Sequence, residues 1–489
     1  MINVRKNLIL GLAVFLGVLM AAAVFYYNTF IDPTSSKSAE LKSRQAHTFP
    51  SQQTLYQMGL YLDLPNRTLY GNNAMHLVNN SGQAMDELWL TAYPNAFTYE
   101  DDSPASPSAY YDGFNPGGME FDYFKINGRT VAYETQGIAV RIPLQECIEP
   151  GQPFNLEVKY RTRIPRLAYR FGSKDGVFML SYAYPMLNVL DASGWHKSYN
   201  SKYGDPFCLA SANYLVRLNL PDGYNFVSPG VVTDALAEDN GRQSFLIKAE
   251  NIRDFSLVVM YDYKEIGQQV EATNVKCYFP AGVAGPGNGI LQQSYEMLSY
   301  YSDIFGSTYP FSDLKIVFVP MKGVNTSEHS GLIFLSDTML DSFRQQEYSY
   351  FSLAHEISHQ WWYGLVGNDQ VKEPWLDEGL ANWSSYKFLA ATRGMKTPAS
   401  GNSFDRMNLE RELKDIKSAQ DYSRLAYSGG EDFWFDLEKK VGGRKLDKIL
   451  QRYVSDFSGS IASAEDVRTI IDQETGRDMS KFYQPWFQQ

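Results

Sequence analysis

Hydrophobic and polar positions alternate in short runs through the first half of the chain. The stretches GIAVRIPL, FNLEVKYRTRIP and YLVRLNLP alternate or run apolar, and Gly, Pro, Asn and Asp separate such stretches. Alternation with period two is typical of half-buried strands, and no long amphipathic helix interrupts it. The pattern predicts an antiparallel, β-sheet-rich N-terminal domain over residues 49–272.

The pattern changes at about residue 273. GILQQSYEMLSYYSDIF has helical spacing, and LKIVFVP and GLIFLSD resemble strands. The periodicity then predicts a run of helices near residues 348–364, 375–393, 404–417, 430–441, 444–456 and 463–474. We therefore expect an α+β multidomain protein whose second domain, residues 273–489, is mainly helical.

The N-terminus carries a long apolar segment. Leu8 to Tyr27 contains no charged residue and is long enough to span a bilayer, and Arg5 and Lys6 precede it. Residues 1–28 are thus predicted to be a single-pass anchor, with the rest of the chain on the outer side of the cell membrane. The alternative is a signal peptide cleaved near Ala21–Ala23, which would give a secreted protein. The polar residues 29–48 are interpreted as a linker.

Composition excludes some classes of protein. The chain has 489 residues, of which 44% are hydrophobic and 15% aromatic, so two or three domains with full cores are expected. The net charge of −11 argues against a nucleic-acid partner. Cys147, Cys208 and Cys277 form no disulfide framework and are interpreted as small apolar core residues.

One segment carries metal-ligand spacing. His355 and His359 in HEISH are four residues apart, so a helix presents both imidazoles on one face. Glu356 lies about 100° around the helix and can reach a water molecule beside the metal. Eighteen residues separate the second histidine from Glu378, which falls early in the next predicted helix and is the expected third ligand. Three protein ligands and one open position are typical of a catalytic site for one Zn²⁺. The alternative is a half-buried helix with ordinary polar residues.

The motifs HEISH and WLDEG together resemble the aminopeptidase N family of zinc metallopeptidases, the gluzincins, and in particular short bacterial members with a membrane anchor. AMHLVNNSGQAMDELWLTAYPNAF resembles the opening strands of that family's N-terminal domain. The resemblance implies a thermolysin-like catalytic domain, peptide substrates and Glu356 as general base. It also implies that Tyr427, in YSGGEDFW, stabilises the oxyanion, although Gly429 stands where the family has lysine.

The chain departs from the family where the substrate amine is bound. The family's amine-binding glutamate aligns with Glu328 in VNTSEHSGLIF, which makes Glu328 the expected substrate-binding residue, but Ser327, His329 and Ser330 replace its neighbours. The glutamine or glutamate that the family often supplies from its N-terminal domain has no counterpart near Tyr182–Tyr184.

The expected function is that of a zinc aminopeptidase. The alternatives are a zinc endopeptidase with the same core and a catalytically weak, peptide-binding ectodomain. Two details are also expected: GLIFLSD forms the edge strand that pairs with the peptide, and Asn382 accepts a hydrogen bond from a zinc-bound histidine. The oligomeric state is not indicated.

Overall fold

The computed structural model describes residues 54–238, 240–270, 273–345, 349–398 and 408–487. The predicted anchor, residues 1–28, and the predicted linker, residues 29–48, lie outside these ranges, so both stay predictions. Within the described ranges, no helix is both long enough and apolar enough to cross a membrane.

The first part of the chain is built from strands, as the alternating pattern predicts. In Leu55–Asp63, for example, Tyr56, Met58, Leu60 and Leu62 are buried while their neighbours are half-buried, which is the period-two pattern of a strand with one face on a core. The strands, in chain order, are β1 (Leu55–Asp63), β2 (Thr68–Val78), β3 (Met85–Thr91), β4 (Gly118–Ile126), β5 (Arg129–Val131), β6 (Glu134–Gln136), β7 (Ala139–Ile148), β8 (Pro153–Arg163), β9 (Phe171–Lys174), β10 (Val177–Leu180), β11 (Met186–Leu187), β12 (Leu190–Asp191), β13 (Gly194–Trp195), β14 (Ala212–Pro221), β15 (Asn225–Val227), β16 (Val231–Glu238), β17 (Arg242–Ile252) and β18 (Leu257–Met260).

These strands form one large sheet and several small ones. The large sheet has the order β16-β17-β14-β1-β2-β8-β4-β5, in which only β1 and β14 are parallel. The two four-stranded sheets have the orders β15-β18-β10-β9 and β11-β3-β7-β6, and β12 pairs with β13. One continuous hydrophobic core, from Tyr56 to Val259, fills the space between the sheets.

A five-stranded sheet begins the second part of the chain. Its strands are β19 (Tyr263–Val270), β20 (Thr273–Pro280), β21 (Asp313–Val319), β22 (Thr326–His329) and β23 (Leu332–Ser336). Their order is β19-β20-β21-β23-β22. Because β23 pairs with a strand on each side, the expectation that GLIFLSD is the edge strand is wrong; the edge strand is β22. The predicted domain boundary at residue 273 falls between β19 and β20 and stays a prediction.

One helix lies between β20 and β21 and the others follow the sheet; together they pack around a second hydrophobic core. They are α1 (Gly289–Phe305), α2 (Leu340–Gln345), α3 (Ser349–Ser358), α4 (Trp375–Arg393), α5 (Ala419–Tyr422), α6 (Gly430–Val441), α7 (Gly443–Phe457), α8 (Ala464–Thr475) and α9 (Ser480–Tyr483), and a π-helix spans Ser423–Gly429. The order of a β-sheet-rich part followed by a mainly helical part is the predicted fold class.

Two local predictions are wrong. The helix expected near 404–417 is absent over its described residues 408–417, where only the short 3₁₀ turn Leu413–Asp415 forms; there Glu412 and Asp415 bond each other's backbone N–H groups instead of continuing a helix. Cys147 is exposed, because it lies near the solvent-facing end of β7, whereas Cys208 and Cys277 are buried as expected.

Candidate metal and catalytic site

The structure brings the three expected zinc ligands together. α3 ends at Ser358, so His355 lies in its last turn and His359 follows directly. Glu378 lies in the first turn of α4, the next helix along the chain. The two histidine Nε2 atoms are 3.1 Å apart, and Glu378 Oε2 lies 3.2 Å from Nε2 of His355 and 3.4 Å from Nε2 of His359.

These three atoms fit a metal ion. The Nδ1 atom of His359 lies 2.9 Å from the carbonyl of Trp362, so it carries the proton and Nε2 presents a lone pair. Within the described part of the chain, Glu378 Oε2 is buried and faces only the two histidine nitrogens. Tetrahedral zinc with ligands at about 2.0–2.2 Å separates neighbouring ligand atoms by roughly 3.3–3.6 Å. Buried lone pairs that converge at such spacing require a cation.

A second group of possible ligands has a different geometry. His196, Cys208 and Asp369 are buried with ligand atoms within 4.8 Å of one another. However, Nδ1 of His196 lies 2.6 Å from Asp369, and its Nε2 lies 2.7 Å from Asp191. Such short contacts fit protons, and two carboxylates on one imidazole favour the imidazolium. We therefore interpret this group as an ion-paired clasp.

The histidines control the charge of Glu378. Burial alone would raise the pKa of this carboxyl, but the hydrogen bonds and charges that His355 and His359 provide when their Nε2 atoms carry protons outweigh burial and hold the pKa well below its usual range. Glu378 is therefore a carboxylate, the form in which it binds a metal.

Glu356 is buried beside the ligands without being one of them. It is 2% exposed, and its Oε2 atom has no hydrogen-bond partner. Burial raises the pKa of Glu356, and the charges of His355 and His359 offset part of this effect. A carboxyl with a raised pKa and a free oxygen next to a metal site can both accept and return a proton.

Tyr427 reaches the site from the π-helix Ser423–Gly429. A π-helix is rare and often marks a functional site, because its extra residue redirects the side chains around it. The Tyr427 hydroxyl lies 2.8 Å from Glu378 Oε1, and the Tyr427 ring centroid lies 5.7 Å from that of His355. Burial, and then the charge of Glu378, raise the pKa of Tyr427 well above its usual value, so the hydroxyl keeps its proton.

Two glycines allow α4 and α6 to pack closely beside the site. A Cβ atom on Gly430, at the start of α6, would lie 2.7 Å from the Cα atom of Gly379 in α4 and 2.8 Å from the carbonyl oxygen of Trp375. Neither contact is possible for a real Cβ, so the two helices cross at a distance that only glycine permits. The crossing lies next to Glu378 and three residues after Tyr427.

Glu328 lies on the edge strand β22, in a cleft of about 690 Å³ that Glu378 and Tyr427 also line. Its side chain is 8% exposed, and no hydrogen bond to its carboxyl is found among the described residues. Burial raises the pKa of Glu328 well above its usual value; the charge of His359 lowers it, while Asp205 raises it further. Glu328, Glu378 and Tyr427 thus line one cleft, and His355 and His359 contact Glu378 at its wall.

The sequence did not identify three residues of this cleft. Asp205 and Arg170, both from the first part of the chain, form a buried ion pair in the cleft wall. Asp205 lies more than twenty residues after Tyr182–Tyr184, where an N-terminal carboxylate was sought, and no motif marks it. Tyr422 places its hydroxyl 3.3 Å from Glu378 Oε1.

Asn382 is not a partner of the zinc ligands. Its side-chain amide donates to Glu431 at 2.7 Å, so the expected contact with a histidine is wrong. One turn beyond Glu378, its side chain is directed towards α6 instead. The acceptor for His359 is the backbone carbonyl of Trp362, which no side-chain motif reveals.

Comparison with known proteins identifies the second part of the chain. Residues 290–486 match the peptidase family M1 domain. Aminopeptidase M1-B of Oryza sativa subsp. japonica is 26% identical over 252 residues, which cover 48% of this chain and 29% of that protein. Aminopeptidase N of Acetobacter pasteurianus is 29% identical over 181 residues, covering 35% of this chain and 51% of that protein. The matched region thus spans about half of these relatives or less.

Solved structures share the fold over most of the chain. The M1 zinc metallopeptidase from Deinococcus radiodurans matches with a TM-score of 0.61 and 16% identity, covering 89% of this chain and 92% of that one. A mutant of that protein bound to a Tyr-Ser-Ala substrate matches with a TM-score of 0.62 and 17% identity. At such identities the likeness establishes the fold.

The domain match and the ligand geometry together place a set of zinc ligands inside a peptidase family M1 domain. Residues 290–486 carry the peptidase family M1 domain, and the motifs HEISH and WLDEG, which resemble the aminopeptidase N-type gluzincins, lie within it.

Proposed function

We propose that this protein is a zinc-dependent aminopeptidase that removes the first residue of peptides. The observation that carries the proposal is Glu328, a buried carboxyl without a hydrogen-bond partner among the described residues, in the same cleft as Glu378 and Tyr427. A carboxylate at that place can pair with the ammonium group of a peptide N-terminus. Such a pair would place the first peptide bond at the metal site.

Asp205 strengthens the amine subsite. Its carboxylate is close enough to raise the pKa of Glu328, and Asp205 itself is paired with Arg170. An incoming ammonium group would favour the ionised form of Glu328 and relieve the repulsion between the two carboxylates. A substrate whose amine is acetylated would leave Glu328 without a cation, whereas Asp205 would keep its ion pair with Arg170.

The catalytic steps fall to Glu356 and Tyr427. His355, His359 and Glu378 would hold the zinc ion, which would supply Lewis-acid chemistry next to the scissile peptide bond. Glu356 Oε2 accepts the proton of the attacking water and returns it to the leaving amine. The protonated hydroxyl of Tyr427 donates a hydrogen bond to the oxygen that becomes negatively charged.

The edge strand β22 gives the peptide a backbone partner. The outer side of β22 has no neighbouring strand in the sheet, whereas β23 covers its inner side. An extended peptide can add to such an edge, which is a common mode of peptide recognition. Because Glu328 belongs to β22, pairing would align the peptide N-terminus with that carboxylate.

The cellular location is also a proposal. The uncharged segment from Leu8 to Tyr27, preceded by Arg5 and Lys6, supports an anchor in the cell membrane with the peptidase part on the outer side. Cleavage near Ala21–Ala23 would release the same part as a secreted enzyme. N-terminal sequencing of the protein isolated from its own cells distinguishes these two forms.

The deciding experiment compares substrates with free and blocked amines. Purified full-length protein is assayed with aminoacyl fluorogenic amides and with the N-acetylated forms of the same amides, with and without a chelator. An aminopeptidase cleaves only the free-amine forms, and the chelator abolishes cleavage. Equal cleavage of acetylated substrates would instead establish the endopeptidase alternative. Failure to cleave either form, with zinc bound, would favour a peptide-binding protein.

Matched variants test the amine subsite in the same assay. Glu328→Gln and Asp205→Asn remove one negative charge each at nearly constant size, and each should raise KM for free-amine substrates. Glu120→Gln, at an exposed site paired with Arg161, removes a charge outside the cleft and serves as control. An unchanged KM in Glu328→Gln would contradict its role as the amine anchor.

A further inference from the structure

The residue after Glu328 faces the first part of the chain. His329 is fully buried, with Nδ1 2.9 Å from Asp254 Oδ1 and Nε2 3.0 Å from the hydroxyl of Ser181. Successive side chains of a strand point to opposite sides, so this bonding fixes the direction of Glu328 as well. The backbone of His329 is held too, because the Gln360 amide donates to its carbonyl at 3.1 Å.

Asp254 is the centre of these contacts. It is fully buried and accepts hydrogen bonds from Ser256 and from the Tyr363 hydroxyl, both at 2.9 Å, and from the backbone N–H of Ser330 at 3.3 Å. Burial alone would raise its pKa, but the charge and hydrogen bond of His329 outweigh burial and lower it. A buried carboxylate with this many donors is a rigid point of attachment.

Tyr363 connects Asp254 to the metal site. It belongs to the turn after α3 and has a φ of 109°, which is strained for any residue other than glycine. The Tyr363 hydroxyl bonds Asp254, and Arg253 donates to the Tyr363 carbonyl at 2.6 Å. The preceding residue, Trp362, supplies the carbonyl that orients His359. Asp254 and Arg253 thus hold the turn that fixes a metal ligand.

We propose that Asp254 is a positioning residue for both halves of the site, and that it acts through two arms. The strand arm runs through His329 to Glu328 and sets the amine subsite; this arm rests on the function proposed above. The turn arm runs through Tyr363 and the Trp362 carbonyl to His359 and sets metal affinity. The first part of the chain therefore holds the catalytic residues of the second part in place.

This arrangement gives a physical reason for the departure from the family motif. The histidine in VNTSEHSG provides a nitrogen donor for a buried carboxylate that lies on the other part of the chain. Ser330, the next replaced residue, donates its backbone N–H to Asp254 and accepts, through its hydroxyl, a bond from the Arg253 N–H at 3.0 Å. The unusual residues around Glu328 therefore belong to the hydrogen-bond network that holds Glu328 in position.

The two arms can be tested separately. For the strand arm, His329→Gln removes the nitrogen at the Nδ1 position, whereas His329→Asn retains an amide donor near it. We expect His329→Gln to reduce, about tenfold, the preference for free-amine over N-acetylated substrates, since a hydrogen bond to a charged group is lost. His329→Asn should restore most of that preference. A folded His329→Gln protein with an unchanged preference would overturn the strand arm.

For the turn arm, Tyr363→Phe removes one hydroxyl. Partners that orient a metal-bound histidine change metal affinity about 10–100-fold, so we expect zinc to dissociate at least tenfold more readily in competition with a chelator of known affinity. Unchanged affinity would overturn the turn arm. Asn79→Ala, a buried substitution in the first part of the chain far from the cleft, controls for general loss of stability and should change neither readout.

The readouts also separate this proposal from the proposed function. If the native protein cleaves acetylated and free-amine substrates equally, the aminopeptidase function fails and the strand arm fails with it. The zinc competition needs no substrate, so it decides the turn arm in that case as well. If the native protein prefers free amines and both arms are unaffected by the variants, only the positioning proposal is overturned.

Discussion

The hydroxyl of Tyr427 lies 2.8 Å from Oε1 of Glu378, whose other oxygen, Oε2, faces the two histidine nitrogens. One carboxylate thus contacts both the metal position and the tyrosine. The contact keeps the hydroxyl beside the place where a scissile carbonyl would bind, and the raised pKa of Tyr427 keeps the proton on it. A short movement of the Tyr427 hydroxyl away from Glu378 would let it donate a hydrogen bond to the substrate oxygen.

Tyr427→Phe tests that use. We expect kcat to fall by a factor of about 10²–10³, as when an oxyanion donor is lost, while zinc content and substrate KM hold. Tyr422→Phe removes a hydroxyl from the same Glu378 oxygen at 3.3 Å and is the matched control. Steady-state kinetics with metal analysis of both variants checks the prediction. A normal kcat in Tyr427→Phe would exclude the hydroxyl from the transition state.

The roles of Glu356 and the ligands separate in a metal assay. Glu356→Gln should keep one zinc per chain and lose turnover by a factor of about 10²–10⁴, because only the proton acceptor is removed. Glu378→Ala should lose zinc, since two histidines alone leave the metal shell incomplete.

Mass spectrometry of the native protein should find one zinc per chain. A second bound zinc would contradict the interpretation of His196, Cys208 and Asp369 as an ion-paired clasp.

The crossing of α4 and α6 predicts a stability effect. Gly430→Ala places a methyl group against Gly379 and the Trp375 carbonyl, so the helices must separate. We expect a loss of about 1–3 kcal/mol in the free energy of unfolding, with a lower kcat because Tyr427 moves with the preceding π-helix. Chemical denaturation measures the loss. Gly443→Ala, where the nearest atom is a flexible glutamate oxygen at 3.4 Å, is the control and should be close to neutral.

The sequence was most informative where local periodicity and motif spacing determine position. The i, i+4 spacing of His355 and His359 places both rings on one side of a short helix, and the spacing to Glu378 allows the next helix to return. The alternation in the first half predicted its strands, as Leu55–Asp63 illustrates. These features depend on residues that are close together in the sequence, so one sequence is enough to predict them.

Contacts between residues far apart in the chain could not be predicted from the sequence. Asp205 reaches the cleft only because the first part of the chain packs on the second, and the Trp362 carbonyl orients His359 through a turn that depends on Arg253 and a strained Tyr363. The order of β22 and β23 was missed for the same reason: strand length and hydrophobicity do not say which strand lies at an edge. Such details are set by tertiary packing.

The clasp of His196 predicts a pH-dependent stability. Burial alone would lower its pKa, but hydrogen bonds and charges from Asp369 and Asp191 outweigh burial and raise it. Because the pKa is raised by folding, the stabilisation is fully present below the unfolded value, about 6.5, and is lost as pH rises through the folded value. Other ionisable groups near the clasp include Cys208, Glu373, Tyr199 and Lys372, whose ammonium lies 3.6 Å from Asp369.

The measurement is the free energy of unfolding from pH 5.5 to 9, for the native protein and for His196→Gln. The difference between the two should be largest at the acid end and should shrink as pH rises, since only the protonated imidazole binds both carboxylates. His76→Gln is the control, because His76 is exposed and bonds the neutral amide of Asn155. A difference that stays constant with pH would mean that His196 holds the two parts together as a neutral hydrogen-bonding group.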